Sequence, residues 1–165
     1  PSRLKGLLAT LNALASEYGF PVVVSTHPRT RQKLDALDDV RIDPLIRFEK
    51  PFGYHDFIRL QKDSLCTISD SGTISEESAI LKFPAVTPRI SIERPEAMDS
   101  GHIIAPGLDV ESILVSFRFV VEQCEKTSEY EIAKEYQIPN TSHRVLRIIL
   151  GTAKTVHQWQ GIVKE

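Results

Sequence analysis

The sequence predicts an α/β fold: a three-layer, Rossmann-like arrangement of helices around a mostly parallel sheet. Short apolar runs alternate with segments of helical periodicity along most of the chain, and the runs are continuously apolar, as in strands covered on both faces. With 165 residues, the chain is long enough for one domain with its own core. Ligands in such folds bind beyond the carboxyl ends of the strands, so polar residues after strands are the first candidates for a site.

The first half of the chain opens with a predicted helix over Ser2–Tyr18, because leucines recur at helical spacing, Ser2 can cap the start and Gly19 can end it. Pro21–Ser25 is a short apolar run and predicts a buried strand. The pattern then predicts a helix at Thr30–Leu37, a weaker strand at Val40–Leu45, a loop at Phe48–Gly53, and a helix at Tyr54–Leu60 that buries Phe57, Ile58 and Leu60.

The second half continues the alternation, for a total of about five or six strands. Strands are predicted at Leu65–Ile68, Pro84–Thr87 and His102–Ala105, and helices at Ile74–Leu81, after Pro95, and at Val110–Cys124 with Asp109 as N-cap. A last long helix is predicted from Ser142 to about Gln160, with Val145, Ile148, Ile149 and Val156 on one side.

Composition excludes several classes of partner. The formal net charge is −2 and no long basic run is present, which argues against nucleic acid. No apolar stretch approaches the roughly 18 residues that a membrane span needs. Cys66 and Cys124 suggest free thiols in a reducing, cytoplasmic setting, and no Cys/His cluster has zinc spacing, so neither a metal nor a cofactor is expected. The chain begins with Pro1, which suggests a fragment of a longer protein.

The stretch Ser69–Glu77 carries the strongest functional signal. It predicts a strand-to-helix turn, in which Gly72 allows a tight or positive-φ backbone and close approach of a ligand. Thr73 followed three residues later by Glu76 fits a capping box. The N–H groups at such a helix start bind anions, and Ser71 adds a hydroxyl. Most turns of this kind bind nothing, so the pattern alone leaves both interpretations open.

Two charged side chains sharpen the ligand class. Glu77 lies one turn into the helix and can reach past an anion to a neighbouring hydroxyl, while Arg94 follows the next strand and can bring positive charge to the same place. Glu93 is expected to orient Arg94. An anion at the turn with a carboxylate beside it suits a nucleoside diphosphate, with amides on the phosphates and the carboxylate on the ribose diol.

Four blocks in this order resemble the non-hydrolysing UDP-N-acetylglucosamine 2-epimerases. They are Thr26-His27-Pro28-Arg29, Pro51-Phe52-Gly53-Tyr54 with Phe57, Ser-Asp-Ser-Gly-x-Ile-x-Glu-Glu from Ser69, and Glu93-Arg94-Pro95-Glu96. The resemblance covers residues 22–101 well and the ends more loosely. It implies the C-terminal, UDP-binding half of a two-domain fold like that of GT-B glycosyltransferases. Residues 1–165 would form that domain, with residues 142–165 as a helix that crosses to the absent N-terminal domain.

The resemblance also implies roles. The diphosphate would lie on Ser71, Gly72 and Thr73, the ribose on Glu77, and uracil between Phe52 and Phe57, with Arg94 and the catalytic His27 near the diphosphate and sugar. From the residues alone, His27 is as readily structural as functional, and Phe57 can be simply core. The family eliminates UDP to a 2-acetamidoglycal and adds it back with inversion at C2. Its catalytic carboxylates lie mostly in the N-terminal half, so this chain alone should be inactive.

Departures from the family pattern bear on the substrate. The chain has His27-Pro28-Arg29-Thr30-Arg31 where members usually read His-Arg-x-Glu-Asn, and Thr73 and Ser75 replace the usual Gly and Gln. These changes resemble the capsular and O-antigen branch that leads to UDP-N-acetyl-L-fucosamine. Expected partners are therefore UDP, a UDP-N-acetyl-hexosamine and the N-terminal domain, with a homodimer left open. Two alternatives remain: the equivalent half of a GT-B glycosyltransferase, and a UDP-binding module without chemistry.

Overall fold

The computed structural model describes residues 2–37, 40–126 and 132–161, and the chain divides into two compact units, Pro1–Ala133 and Lys134–Glu165. The first unit contains, in order, α1 (Ser2–Tyr18), β1 (Val22–Ser25), α2 (Pro28–Asp35), β2 (Ile46–Glu49), α3 (Tyr54–Asp63), β3 (Thr67–Ile68), α4 (Ile74–Leu81), β4 (Ala85–Val86), α5 (Pro95–Asp99) and α6 (Val110–Lys126).

The strands confirm the predicted α/β class with parallel pairing. In the described residues, β1 pairs with β2 and β3 pairs with β4, both in parallel, and a parallel bridge joins Val86 to Ile104. The strands thus form two two-stranded sheets and one bridge, where the sequence predicts five or six strands. Each helix between paired strands is a crossover, which brings the carboxyl ends of the paired strands to one edge.

The second strand was predicted in the wrong place: it covers Ile46–Glu49 and not Val40–Leu45. Asp43 forms a turn there, because its side chain accepts the Leu45 N–H at 2.9 Å and its carbonyl accepts the Ile46 N–H at 3.0 Å. The side chain of Asn12 on α1 fixes this turn by accepting the Asp43 N–H at 2.8 Å. Pairing with β1 therefore starts after the turn, where Ile46 faces Val22.

The core lies between α1, the strands and α6. On α1, Leu11 and Ala15 pack with Ile46, and Leu14 packs with Phe117 and Val121 of α6. The ring of Phe117 also contacts Tyr18, with centroids 5.2 Å apart. Gly19 ends α1 with φ +66°, and Asp109 caps α6 by accepting the Ser112 N–H at 2.9 Å, as the sequence predicts. These contacts hold β1, β3 and β4 in place. The candidate site residues lie in the chain after these strands.

The second unit contains a 3₁₀ turn at Lys134–Gln137, α7 (Thr141–Thr152) and α8 (Val156–Trp159). The predicted continuous helix is therefore interrupted after Thr152, where the Thr155 N–H bonds to the Thr152 carbonyl at 2.9 Å. The apolar side chains of α7 are exposed by 48–74%: Val145, Leu146, Ile148, Ile149 and Leu150. Across the described ranges, the helices are too short or too polar to cross a membrane.

Candidate functional site

The turn before α4 starts the helix without a side-chain cap. Thr73 has helical φ and ψ, and its hydroxyl pairs with that of Ser71 at 3.0 Å. The Ser69 hydroxyl accepts the Ser71 N–H at 3.2 Å and the Ser71 hydroxyl accepts the Thr73 N–H at 3.4 Å, but the Gly72 N–H has no partner within the described part of the chain. The predicted capping box is wrong, because neither Thr73 nor Glu76 bonds to the other. The turn therefore keeps the Gly72 N–H for a ligand.

Gly72 is needed for close approach and not for a positive φ. It is absent from the glycines with positive φ in the described chain. A Cβ placed on it would lie 3.2 Å from Arg94 Nη1 and 4.0 Å from Arg89 Nη1, so two guanidinium groups reach the turn. Only a glycine gives this access without displacing Arg94.

Two ion pairs hold these guanidinium groups. Arg94 Nε donates to Glu76 Oε1 at 2.5 Å, and both side chains are about two-thirds buried. Arg89 Nη2 donates to Glu93 Oε1 at 3.1 Å, so Glu93, which the sequence predicts as the orienting partner of Arg94, binds Arg89. The Arg94–Glu76 bond fixes the guanidinium through Nε and leaves Nη1 beside Gly72.

These groups line one shallow pocket, which is partly open to solvent. Thr87, at the end of β4, is 1% exposed, and its hydroxyl has no partner among the described residues. The lining consists of Ser71, Gly72, Ser75, Thr87, Arg89, Ile92, Glu93 and Arg94. The pocket thus combines hydroxyls, an unpaired amide and two arginines, a set of donors suited to phosphate oxygens.

Glu77 is half-buried on α4 and pairs with a different element. Its Oε2 accepts a hydrogen bond from Gln61 Nε2 of α3 at 3.2 Å. Gln61 is the buried residue of α3, whereas Leu60, predicted to be buried, is 39% exposed. The buried face of α3 therefore carries Gln61 together with Phe57 and Ile58, and does not include Leu60.

His27 follows β1, as the turn at Ser69–Thr73 follows β3, and it caps α2. Its Nδ1 accepts the Arg29 N–H at 3.2 Å, and Pro28 occupies the first helical position. A ring nitrogen that accepts a hydrogen bond carries no proton, so Nε2 is the atom that can donate. His27 is exposed at the end of β1, and α2 begins at Pro28, not at Thr30 as predicted.

The two aromatic candidates are half-buried. Phe52 lies in the loop before α3, and Phe57 lies on α3, where its N–H bonds to the Gly53 carbonyl at 2.9 Å. Of the predicted site residues, the described pocket lining brings together Ser71, Gly72 and Arg94 and does not include His27, Phe52, Phe57, Thr73 or Glu77. Thr73 joins the turn through its bond to Ser71.

Comparison with known proteins assigns the chain to a family. The sequence profile of the UDP-N-acetylglucosamine 2-epimerase family matches residues 1–150. The chain belongs to the UDP-N-acetylglucosamine 2-epimerase family.

Individual members of the 2-epimerase family agree with this assignment. A UDP-N-acetylglucosamine 2-epimerase of Methanococcus maripaludis is 36% identical over 114 residues, which are 67% of this chain and 31% of that protein. The structure of the Rickettsia bellii enzyme matches with a TM-score of 0.81 and 34% identity, over 95% of this chain and 43% of that one. The Methanocaldococcus jannaschii enzyme, solved with UDP-GlcNAc and UDP, matches with a TM-score of 0.76 and 27% identity, over 90% and 40%. The chain thus spans less than half the length of these 2-epimerases.

Sequence reasoning missed three residues at the candidate site, Gln61, Thr87 and Arg89, and it assigned Glu76 to a cap although Glu76 binds Arg94. Thr87 and Arg89 follow β4, so the rule that ligands bind after parallel strands could have found them. Gln61 and Glu76 carry no such signal, because their roles depend on contacts between elements far apart in sequence.

Proposed function

We propose that this chain is the UDP-binding, C-terminal half of a UDP-N-acetylhexosamine 2-epimerase. The observation that carries the proposal is the turn before α4, where Gly72, whose amide has no partner among the described residues, lies beside the ion-paired Arg94 in a chain of this family. The diphosphate would lie on Ser71, Gly72 and Thr73, and Arg94 Nη1 would donate to it. A helix start favours an anion through its unpaired amides and its dipole.

The nucleoside would extend from this anion site toward α3. Glu77 would accept the ribose hydroxyls, and Phe52 and Phe57 would line the uracil pocket, since both rings are half-buried near the start of that helix. His27, with Nδ1 occupied by the cap of α2, would donate from Nε2 to the diphosphate or move a proton at the sugar. The M. jannaschii relative, which binds UDP-GlcNAc and UDP, supports this ligand class.

The reaction would be inversion at C2 by elimination and re-addition of UDP, with the carboxylates that move the C2 proton supplied by the N-terminal half. Family membership favours isomerisation over sugar transfer to an acceptor or binding without chemistry. The substrate would be a UDP-N-acetyl-hexosamine of the capsular or O-antigen branch leading to UDP-N-acetyl-L-fucosamine, as the departures at Thr73 and Ser75 suggest. The enzyme would work in the cytoplasm, where nucleotide sugars are made.

The exposed apolar side chains of α7 support a further part of the proposal. Residues 142–165 would cross to the N-terminal domain, which would cover the row of apolar side chains on α7. In the absence of that domain, the same surface would favour a homodimer. Analytical ultracentrifugation of this chain with and without the N-terminal half distinguishes the two arrangements.

Calorimetric titration with UDP and with uridine tests the function. We expect UDP to bind and uridine to bind at least about tenfold more weakly, since a charge-assisted hydrogen bond contributes about 1.5–3 kcal/mol. Equal affinities for UDP and uridine would mean that the diphosphate does not bind at this turn. The isolated chain should incorporate no deuterium at C2 from deuterium oxide, because general acid–base groups must lie within hydrogen-bond distance of the proton. Deuterium exchange at C2 by the purified chain would contradict the proposal that the N-terminal half supplies the carboxylates that move the C2 proton.

A further inference from the structure

The one buried side chain of α3 is an amide. Gln61 is 3% exposed, while Phe57 and Ile58 on the same helix are only half-buried. Helices that pack on a core usually bury an apolar side chain at such a position. Packing alone therefore does not explain why this buried position carries a glutamine.

The geometry gives the amide a defined partner. Gln61 Nε2 donates to Glu77 Oε2 at 3.2 Å, and a carboxylate only accepts, so the NH₂ group must face Glu77. Gln61 Oε1 is buried without a partner in the described part of the chain. An unpaired buried acceptor is unfavourable for folding, so stability alone would favour an apolar side chain here.

From this contact we infer that Gln61 is a positioning residue: it holds Glu77 Oε2 so that Glu77 Oε1 points at the ribose hydroxyls of the nucleotide. The inference rests on the proposed role of Glu77. A neutral amide suits this task because it fixes the carboxylate rotamer and leaves its charge available to the ligand. An arginine at the same place would form a bidentate pair and occupy both oxygens.

The contact also predicts which part of the ligand Gln61 affects. Gln61 does not line the anion pocket at Gly72 and Arg94, so its removal should leave phosphate binding intact. Its loss should weaken only the recognition of the two ribose hydroxyls. Gln61 would thereby contribute to selection of a ribonucleotide over a nucleotide that lacks these hydroxyls.

The test compares UDP with 2′,3′-dideoxyuridine diphosphate by calorimetric titration of the whole 165-residue chain. Gln61→Met keeps the length of the side chain and removes both polar atoms, and Gln61→Leu serves as a second variant should the first not fold. We expect Gln61→Met to lower UDP affinity about three- to tenfold, less than Glu77→Ala does, because it removes the hydrogen bond that orients the carboxylate and leaves the carboxylate itself in place. The affinity for the dideoxy nucleotide should stay the same, and Gln61→Met should add no loss to Glu77→Ala.

Asn12→Leu is the matched control, because the Asn12 amide bonds only to backbone groups of Arg41 and Asp43 in the described chain. It should lower the melting temperature and leave the ratio of the two affinities unchanged. If Gln61→Met weakens both nucleotides equally, or adds to Glu77→Ala, Gln61 supports the fold only and the inference is overturned. If the parent chain itself binds both nucleotides equally, the ribose role of Glu77 fails, and the inference fails with it. If Glu77→Ala abolishes the discrimination and Gln61→Met does not, the inference alone fails.

Discussion

Two strand-to-helix turns of this protein share a topology and differ in how the helix begins. After β1, His27 caps α2 through Nδ1, and Pro28 removes one of the donors. After β3, the start of α4 has no side-chain cap, and the Gly72 amide has no partner among the described residues. The first turn of α2 satisfies its own donors, whereas the turn before α4 leaves the Gly72 N–H to be satisfied by a ligand. An anion site in an α/β fold is thus recognised by what the helix start leaves unpaired.

The largest expected effect concerns Glu77, the carboxylate proposed to bind the ribose beside the uncapped turn at Ser69–Thr73, which we call the open turn. Glu77→Ala should lower UDP affinity about ten- to a hundredfold, because it removes charge-assisted hydrogen bonds of about 1.5–3 kcal/mol from the ribose. The melting temperature should also fall, because the buried Gln61 Nε2 loses its hydrogen-bond acceptor. Calorimetric titration beside thermal melts measures both. UDP binding by Glu77→Ala equal to that of the parent would remove the ribose from this carboxylate.

The next prediction concerns the ion pair that brings Arg94 to the open turn. Arg94→Ala should lower UDP affinity roughly tenfold, the usual size of a charge-assisted contact to phosphate. Glu76→Ala should cause a smaller loss of affinity, since Arg94 keeps its charge but loses the bond that orients it. This prediction follows from the ion pair with Arg94 and not from the capping box that the sequence predicts at Thr73 and Glu76.

The control for the ion pair is Arg118→Ala, because Arg118 forms a comparable pair with Glu17 between α6 and α1, at 2.6 Å. It should leave UDP affinity unchanged. A loss equal to that of Arg94→Ala would mean that general surface charge, and not the turn, governs binding.

A third prediction compares the caps directly. His27→Ala should lower the free energy of unfolding by about 1 kcal/mol, because α2 loses its side-chain acceptor. Thr73→Ala should change it by less than about 0.5 kcal/mol, because Thr73 is exposed and caps nothing. Urea unfolding followed by circular dichroism measures both variants. Equal losses of unfolding free energy at the two positions would contradict the difference between the capped start of α2 and the uncapped start of α4.

The smallest expected effect is a pH dependence at a third helix start. Asp109 caps α6, and the hydrogen bonds from Ser112 lower the pKa of its carboxyl below the ordinary value of 3.8. A lowered pKa means that the stabilisation is complete above that value and is lost as the pH falls through the folded-state pKa. The difference in urea midpoint between Asp109→Ala and the parent should therefore be constant from pH 7 to pH 5 and shrink below pH 4. A difference that grows on acidification would contradict the assignment.

Local patterns were sufficient for much of the fold. Leucines at helical spacing and Gly19 predicted α1 to its end, Asp109 predicted the start of α6, and apolar runs predicted β1, β3 and β4 to within a few residues. These features depend on neighbours in the chain, so sequence contains their cause. β2 was misplaced because the turn at Asp43 depends on Asn12, a residue of another helix.

The sequence by itself determined the α/β class, the turn at Ser71–Thr73 as the anion candidate and, through its motifs, the family. Only the tertiary structure decided the partners: Glu76 holds Arg94, Glu93 holds Arg89, and Gln61 holds Glu77. The physical reason is that helix and strand periodicity follow from residues near in sequence, whereas a hydrogen bond depends on where two separate elements place their side chains. Several carboxylates could have paired with Arg94, and the packing of α4 against α5 brought Glu76 to it.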